Sequence, residues 1–152
     1  MVDVLTEITI ACPINVVAEY VSNPENATDW YVNIMLAKKQ KDEPIELGSL
    51  IDFEAHFMGR KLIYTYEIME LVPNQKMVMS TQQGPFPMTT TYTWESIASD
   101  QTKMTLRNSG QPSGFSKIMA PFMSKMMKKA NNKDLQLLKK ILESKFPLLG
   151  GD

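Results

Sequence analysis

The sequence predicts an α+β fold, with a seven-stranded antiparallel sheet, two short helices inserted after the first strand, and one long C-terminal helix. Three observations carry this. From Ile34 to Ser109 the chain alternates apolar and polar residues, with turn chemistry at intervals too short to hold crossover helices, so neighbouring strands must run antiparallel. A separate alternating run opens the chain and ends at Pro13. The last forty residues, 113–152, repeat at helical rather than strand period.

In the first strand Val2, Val4, Thr6, Ile8 and Ile10 alternate with Asp3, Leu5, Glu7, Thr9 and Ala11. Pro13 suits a first helical turn, and Ile14, Val17, Ala18 and Val21 then mark the inner face of a helix over 14–22. A second short turn spans Pro24 to Asp29. Trp30 and Tyr31 follow, placed to plug the join between helices and sheet. The remaining strands are expected over 34–42, 49–58, 61–72, 75–83, 87–97 and 102–109. Leu47-Gly48-Ser49, Met58-Gly59-Arg60, Pro73-Asn74, Gly84-Pro85 and Ser99-Asp100 punctuate them.

Alternation also assigns faces. Ile51, Phe53, Ala55 and Phe57 point one way and Asp52, Glu54 and His56 the other. The same face collects Leu62, Tyr64, Tyr66, Ile68, Met77, Met79, Thr81, Met88, Thr90, Tyr92, Trp94, Met104 and Leu106. A dry core would favour Leu, Ile and Val. Tyrosines and a tryptophan facing one space need partners for their polar atoms, which describes the wall of a cavity with a few polar contact points.

On a helical wheel Phe115, Met119, Phe122, Met123, Met126, Ala130, Leu137 and Ile141 form one stripe, with Lys117, Lys125, Lys128, Lys129 and Lys139 opposite. Methionine is unbranched and polarizable, so Met119, Met123, Met126 and Met127 make a surface that adapts its shape. A helix of this kind laid on a curved sheet either completes a core or roofs a cavity.

At 152 residues and 43% hydrophobic content the chain suits one domain with one core. No run approaches the ~18 apolar residues of a membrane span, and Asp3 and Glu7 spoil any signal-peptide pattern, so the expected compartment is the cytoplasm. Cys12 is the one cysteine, which excludes an internal disulfide. The net charge of −1 hides a division: residues 1–112 hold 8 Lys and Arg against 14 Asp and Glu, residues 113–152 hold 8 against 3. The basic helix could meet anionic lipid, whereas nucleic acid is not expected, because no exposed aromatics interleave the lysines.

Chemistry-bearing motifs are sparse. Asp52, Glu54 and His56 lie at i, i+2 and i+4 of one strand, but on its polar, solvated face, so no metal site is expected. No phosphate loop, nucleophile elbow or Cys/His arrangement occurs, and no cofactor is implied. Glu54, Glu67 and Glu95 all fall at outward parity, and Arg60 and Arg107 read as surface residues. The tyrosines 64, 66 and 92 are the one inner set able to donate hydrogen bonds to a carbonyl or enolate.

The order of elements, with the segment Pro24-Glu25-Asn26-Ala27-Thr28-Asp29-Trp30, the stretch Glu46-Leu47-Gly48-Ser49 and the run Tyr66-Glu67-Ile68-Met69-Glu70-Leu71-Val72-Pro73, resembles the START-like (SRPBCC) superfamily in its polyketide cyclase/dehydrase and lipid-transport branch. The resemblance implies a single START-like domain over 1–152 and a helix-grip fold, in which the sheet wraps the terminal helix around a hydrophobic cavity. The implied lining is Phe53, Phe57, Tyr64, Tyr66, Met79, Tyr92 and Trp94 from the sheet and Phe115, Met119, Phe122 and Met126 from the helix. Enzymatic relatives carry polar catalytic groups in that pocket, and no such set is matched here. The expected function is therefore to hold a small hydrophobic molecule, a lipid, polyketide or similar, as carrier or sensor. The alternatives are a polyketide cyclase-like enzyme and a module that contacts a protein or membrane through the basic helix.

Overall fold

The computed structural model describes residues 1–57, 59–83 and 86–146, with backbone alone for 115 and 116. Strand β1 (Val2–Ile10) leads into helix α1 (Ile14–Ser22), a 3-10 turn (Pro24–Asn26) and helix α2 (Ala27–Trp30). Strands β2 (Ile34–Lys39), β3 (Leu50–Phe57), β4 (Arg60–Val72), β5 (Lys76–Thr81), β6 (Met88–Ala98) and β7 (Gln101–Gly110) follow, and helix α3 (Phe115–Lys145) ends the described chain.

The strands form one antiparallel sheet in the order β1-β7-β6-β5-β4-β3-β2. Each hairpin pairs with the next, and β7 returns to pair with β1 from Val2↔Gly110 to Ile10↔Thr102. This is the expected helix-grip fold. Register shifts at Ile34/Leu36, Ile68/Glu70 and Ser96/Ala98 put an extra residue into one strand of a pair, which bends and twists the sheet. The strands assigned from alternation are all present, with ends displaced by up to three residues.

Burial follows the alternation closely. Val2, Val4, Thr6, Ile8 and Ile10 are buried along β1, and Ile51, Phe53 and Ala55 along β3. The core nevertheless comes in two pieces. The larger joins Ile10, Trp30, Ile68, Met77, Met104 and Leu106 to Leu135, Leu138 and Leu142 of α3. The smaller gathers Val2, Val4, Phe86, Ala120 and Met123, with Met88, Met119 and Met127 packed against it.

The two halves of α3 are held differently. In the C-terminal half Glu143 accepts from the Ala11 amide at 2.8 Å and from Lys139 Nζ at 2.6 Å, and Lys139 also donates to the Thr9 carbonyl at 3.0 Å. Lys139, read as a solvent-facing lysine, thus ties the helix to β1. Buried Cys12 packs in the same joint, its Sγ 3.6 Å from the Leu142 carbonyl. In the N-terminal half Pro121 sits inside the helix, where it removes one backbone hydrogen bond.

The inner stripe of α3 differs from the expected one. Ala120, Met123, Asn131, Asp134, Leu135, Leu138 and Leu142 are buried, Leu137 and Ile141 only partly, while Phe122 is 49% and Met126 38% exposed. A wheel drawn on hydrophobicity alone follows the large apolar residues. The real inner face includes Asn131 and Asp134, whose polarity deflected the stripe away from it.

Candidate functional site

Where the two core clusters fail to meet, the sheet and α3 leave a cavity of about 150 Å³, partly open to solvent. That is many times the roughly 10–15 Å³ that a single water needs. Phe53 from β3, Tyr64 and Tyr66 from β4, Met79 from β5 and Tyr92 from β6 form the sheet wall; Met123, Met127, Ala130, Asn131 and Asp134 form the helix wall. Tyr31, just after α2, and Phe86 and Met88, entering β6, contribute to the lining as well. His56, Phe57, Leu62 and Gln83 also border it, and the exposure of His56 and Gln83 places them at the solvent side.

Rings interlock along the sheet wall. Phe53 stacks on Tyr64 at 5.8 Å between centroids and meets Tyr66 edge-on at 5.6 Å, and Tyr64 and Tyr66 lie 5.5 Å apart. Such pairs fix ring orientations beyond what area burial alone would do. Burial raises the hydroxyls of Tyr31, Tyr64, Tyr66 and Tyr92 above the usual phenol range, so all four stay protonated at neutral pH.

The polar groups converge from β4, β6, β7 and α3 and from the segment after α2. Tyr31 and Tyr92 share a hydroxyl-hydroxyl bond of 2.7 Å. Thr90 Oγ1 donates 2.8 Å to Asn108 Oδ1 and lies 3.3 Å from the Tyr66 hydroxyl. Asp134, 3% exposed, accepts the Val32 amide at 3.0 Å. Burial pushes its carboxyl up to about 6, against the lowering effect of that amide and of Lys133. Asn131, one turn earlier on the same helix face, is also buried, and its Nδ2 has no partner among the described residues.

Of the lining residues expected from sequence, Phe53, Phe57, Tyr64, Tyr66, Met79 and Tyr92 come together around the cavity. Trp94 is buried, stacked on Tyr92 at 6.4 Å, but behind the lining. Met119 packs on the Val2–Val4 cluster instead. Phe122 and Met126 are exposed and are not lining residues, a correction that follows from the rotated inner face of α3. The side chain of Phe115 lies outside the described residues.

Sequence reasoning missed Tyr31, Asn108, Asn131 and Asp134 as lining. Strand parity puts Glu54, Glu67 and Glu95 outward, and the carboxyl that does reach the cavity, Asp134, enters from the helix instead. A usable signal existed: Asn131 and Asp134 are spaced i, i+3 between apolar Ala130 and Leu135, polar residues on a face that must be buried. No group of three or more potential metal ligands occurs among the described residues.

Residues 1–143 match the family described as polyketide cyclase / dehydrase and lipid transport. The chain belongs to that family. Solved structures agree with its START-like fold. The Zhui aromatase/cyclase from a Streptomyces species superposes with a TM-score of 0.80 at 14% identity, covering 97% of each chain. A START superfamily protein from Mycobacterium smegmatis gives 0.81 at 13% identity, covering 93% of this chain and 97% of its own. A protein from Thermus thermophilus gives 0.80 at 15%, covering 95% and 99%. No protein of curated function matches. At such identities the family member shares the fold of these proteins, while its chemistry rests on its own lining residues.

Proposed function

We propose that this family member binds a small hydrophobic molecule in the cavity between the sheet and α3, as a carrier or sensor. One observation carries the reading: the space is walled by aromatic rings and methionines with a few convergent polar groups, which is the make-up of a small-molecule site. Met79, Met88, Met123 and Met127 let the walls adjust to different shapes. The test is an apolar fluorescent probe, such as an anilinonaphthalene dye, titrated into the wild type and Ala130→Trp. Ala130 borders the cavity, so the indole should fill it and abolish uptake while the melting temperature stays near that of the wild type. Equal uptake by both proteins contradicts the reading.

A second reading is favoured by Asp134. A buried carboxyl raised to about 6 beside four neutral tyrosines is the arrangement of a general acid with hydrogen-bond donors, as a cyclase-like reaction would use. Turnover of an aromatic polyketide mimic, lost by orders of magnitude in Asp134→Asn and Tyr→Phe variants, would establish it.

The exposed part of α3 supports a delivery route. Ile118 (77% exposed), Phe122 and Met126 repeat every four residues, and Lys125 and Lys129 interleave with them. Apolar anchors among lysines fit an anionic bilayer surface, on which the helix would lie without crossing it. No described helix is long and apolar enough to cross a membrane.

A further inference from the structure

The cavity's polar end discriminates among apolar molecules by what they carry at their buried end. Asn131 is 4% exposed, borders the cavity, and its Nδ2 has two protons and no acceptor among the described residues. A buried donor without a partner is costly, so whatever occupies that end gains by supplying an acceptor. One helical turn away stands the Asp134 carboxylate. Among the described lining residues there is no lysine or arginine; Lys133, the neighbour that acts on this carboxyl, is exposed outside the lining, and the one imidazole, His56, is exposed at the solvent side.

These two groups set opposite demands. Asn131 calls for an oxygen with a lone pair. The negative charge of Asp134, in a cavity of low dielectric, repels an oxygen that is itself ionised. A carboxylate or phosphate would satisfy the amide and suffer from the acid. A hydrocarbon end would leave the amide unpartnered. An ammonium would suit Asp134 and the rings but has no lone pair for Asn131.

Resting on the ligand-binding reading above, we infer that the cavity selects neutral, oxygen-bearing apolar molecules, ketones, alcohols or phenols, with Asn131 Nδ2 donating to the ligand oxygen and Asp134 excluding anionic head groups. Fatty acids in their ionised form are outside this class. The ligand oxygen docks at Asn131 and the hydrocarbon body lies against Phe53, Tyr64 and Met79.

The experiment uses four probes with one shared body: naphthalene, a naphthyl methyl ketone, naphthoate and naphthylmethylammonium, titrated at neutral pH into the wild type, Asn131→Leu and Asp134→Asn. The wild type should bind the ketone about tenfold tighter than naphthalene, the worth of one recovered hydrogen bond. Naphthoate and the ammonium should bind more weakly than the ketone. In Asn131→Leu the ketone's advantage should vanish while naphthalene affinity holds or improves, which also shows that the variant is folded. In Asp134→Asn naphthoate should gain at least severalfold relative to the ketone. The side-chain amide signal of Asn131 should shift on adding the ketone and not on adding naphthalene. Binding of naphthalene and ketone with equal affinity, meaning that a water already serves Asn131, overturns the inference, as does tightest binding by naphthoate or the ammonium. No binding of any probe overturns the cavity reading itself, and so is told apart from failure of the selectivity.

Discussion

Tyr31 and Tyr92 meet hydroxyl to hydroxyl at 2.7 Å, joining the segment after α2 to β6 at the edge of the cavity. Both rings also contact Trp30, at 4.1 and 6.0 Å between centroids, so the bond closes a packed aromatic group. Tyr92→Phe removes one partner and leaves the buried Tyr31 hydroxyl to find another. The expected loss is about 1 kcal/mol, read as a shift of the urea midpoint at unchanged slope. Because burial raises both phenols, ultraviolet titration of the folded protein should show them ionising only when the chain unfolds in alkali.

Asp134 gives stability a pH dependence of definite sign. Its carboxyl is raised to about 6 in the fold and returns to its ordinary 3.8 in the unfolded chain. Between those values the native state binds more protons, so stability falls as pH rises through this window and remains lower above it. The shift caps the effect below ~3 kcal/mol, and access of solvent through the cavity trims it to about 1–2 kcal/mol. Asp134→Asn should therefore gain on the wild type as pH rises from about 4 to about 7. Urea midpoints across that range check it, and the difference between the two proteins cancels the other carboxylates.

Gly110 holds Phe86 in place by having no side chain. A Cβ there would lie 2.6 Å from the Phe86 ring and 2.6 Å from the Pro87 carbonyl oxygen, and a backbone atom cannot swing aside. Gly110→Ala should cost about 1–3 kcal/mol, as overpacking does, and displace Phe86 from the cavity lining. Thermal melts and the loss of ring contacts to Met123 and Met88 in proton spectra measure the two effects.

The two faces of α3 should answer mutation very differently. Leu138→Ala deletes a fully buried side chain and should cost about 2–5 kcal/mol. The double change of Phe122 and Met126 to Ser, at exposed positions, should stay within about 0.5 kcal/mol at each site yet weaken flotation with anionic vesicles. Chemical denaturation and a flotation assay, run on the same proteins, separate the roles.

That contrast marks where sequence was legible. Along the strands each residue has one of two sides, so alternation identified the inner face from Val2 to Leu106, and eleven of the residues it placed there line the cavity, Phe53, Tyr64, Tyr66 and Tyr92 among them. The meander followed from turn chemistry at Gly48, Gly59 and Asn74, all of which adopt positive φ. A helix offers a continuum of faces, and α3 resolved it by packing Leu135, Leu138 and Leu142 on the sheet, which turned Phe122 and Met126 outward. Asn131 and Asp134 were hidden by their own polarity: a wheel drawn on hydrophobicity turns them to solvent, and only their i, i+3 spacing beside Ala130 and Leu135 points to the inner face.

The central claim is a cavity that holds a guest, and native mass spectrometry of the protein purified gently from cells tests it most directly. The expected result is a second species heavier by one small molecule, released by organic solvent and reduced in Ala130→Trp. A single bare mass in every preparation, together with no uptake of added apolar probes, would contradict it.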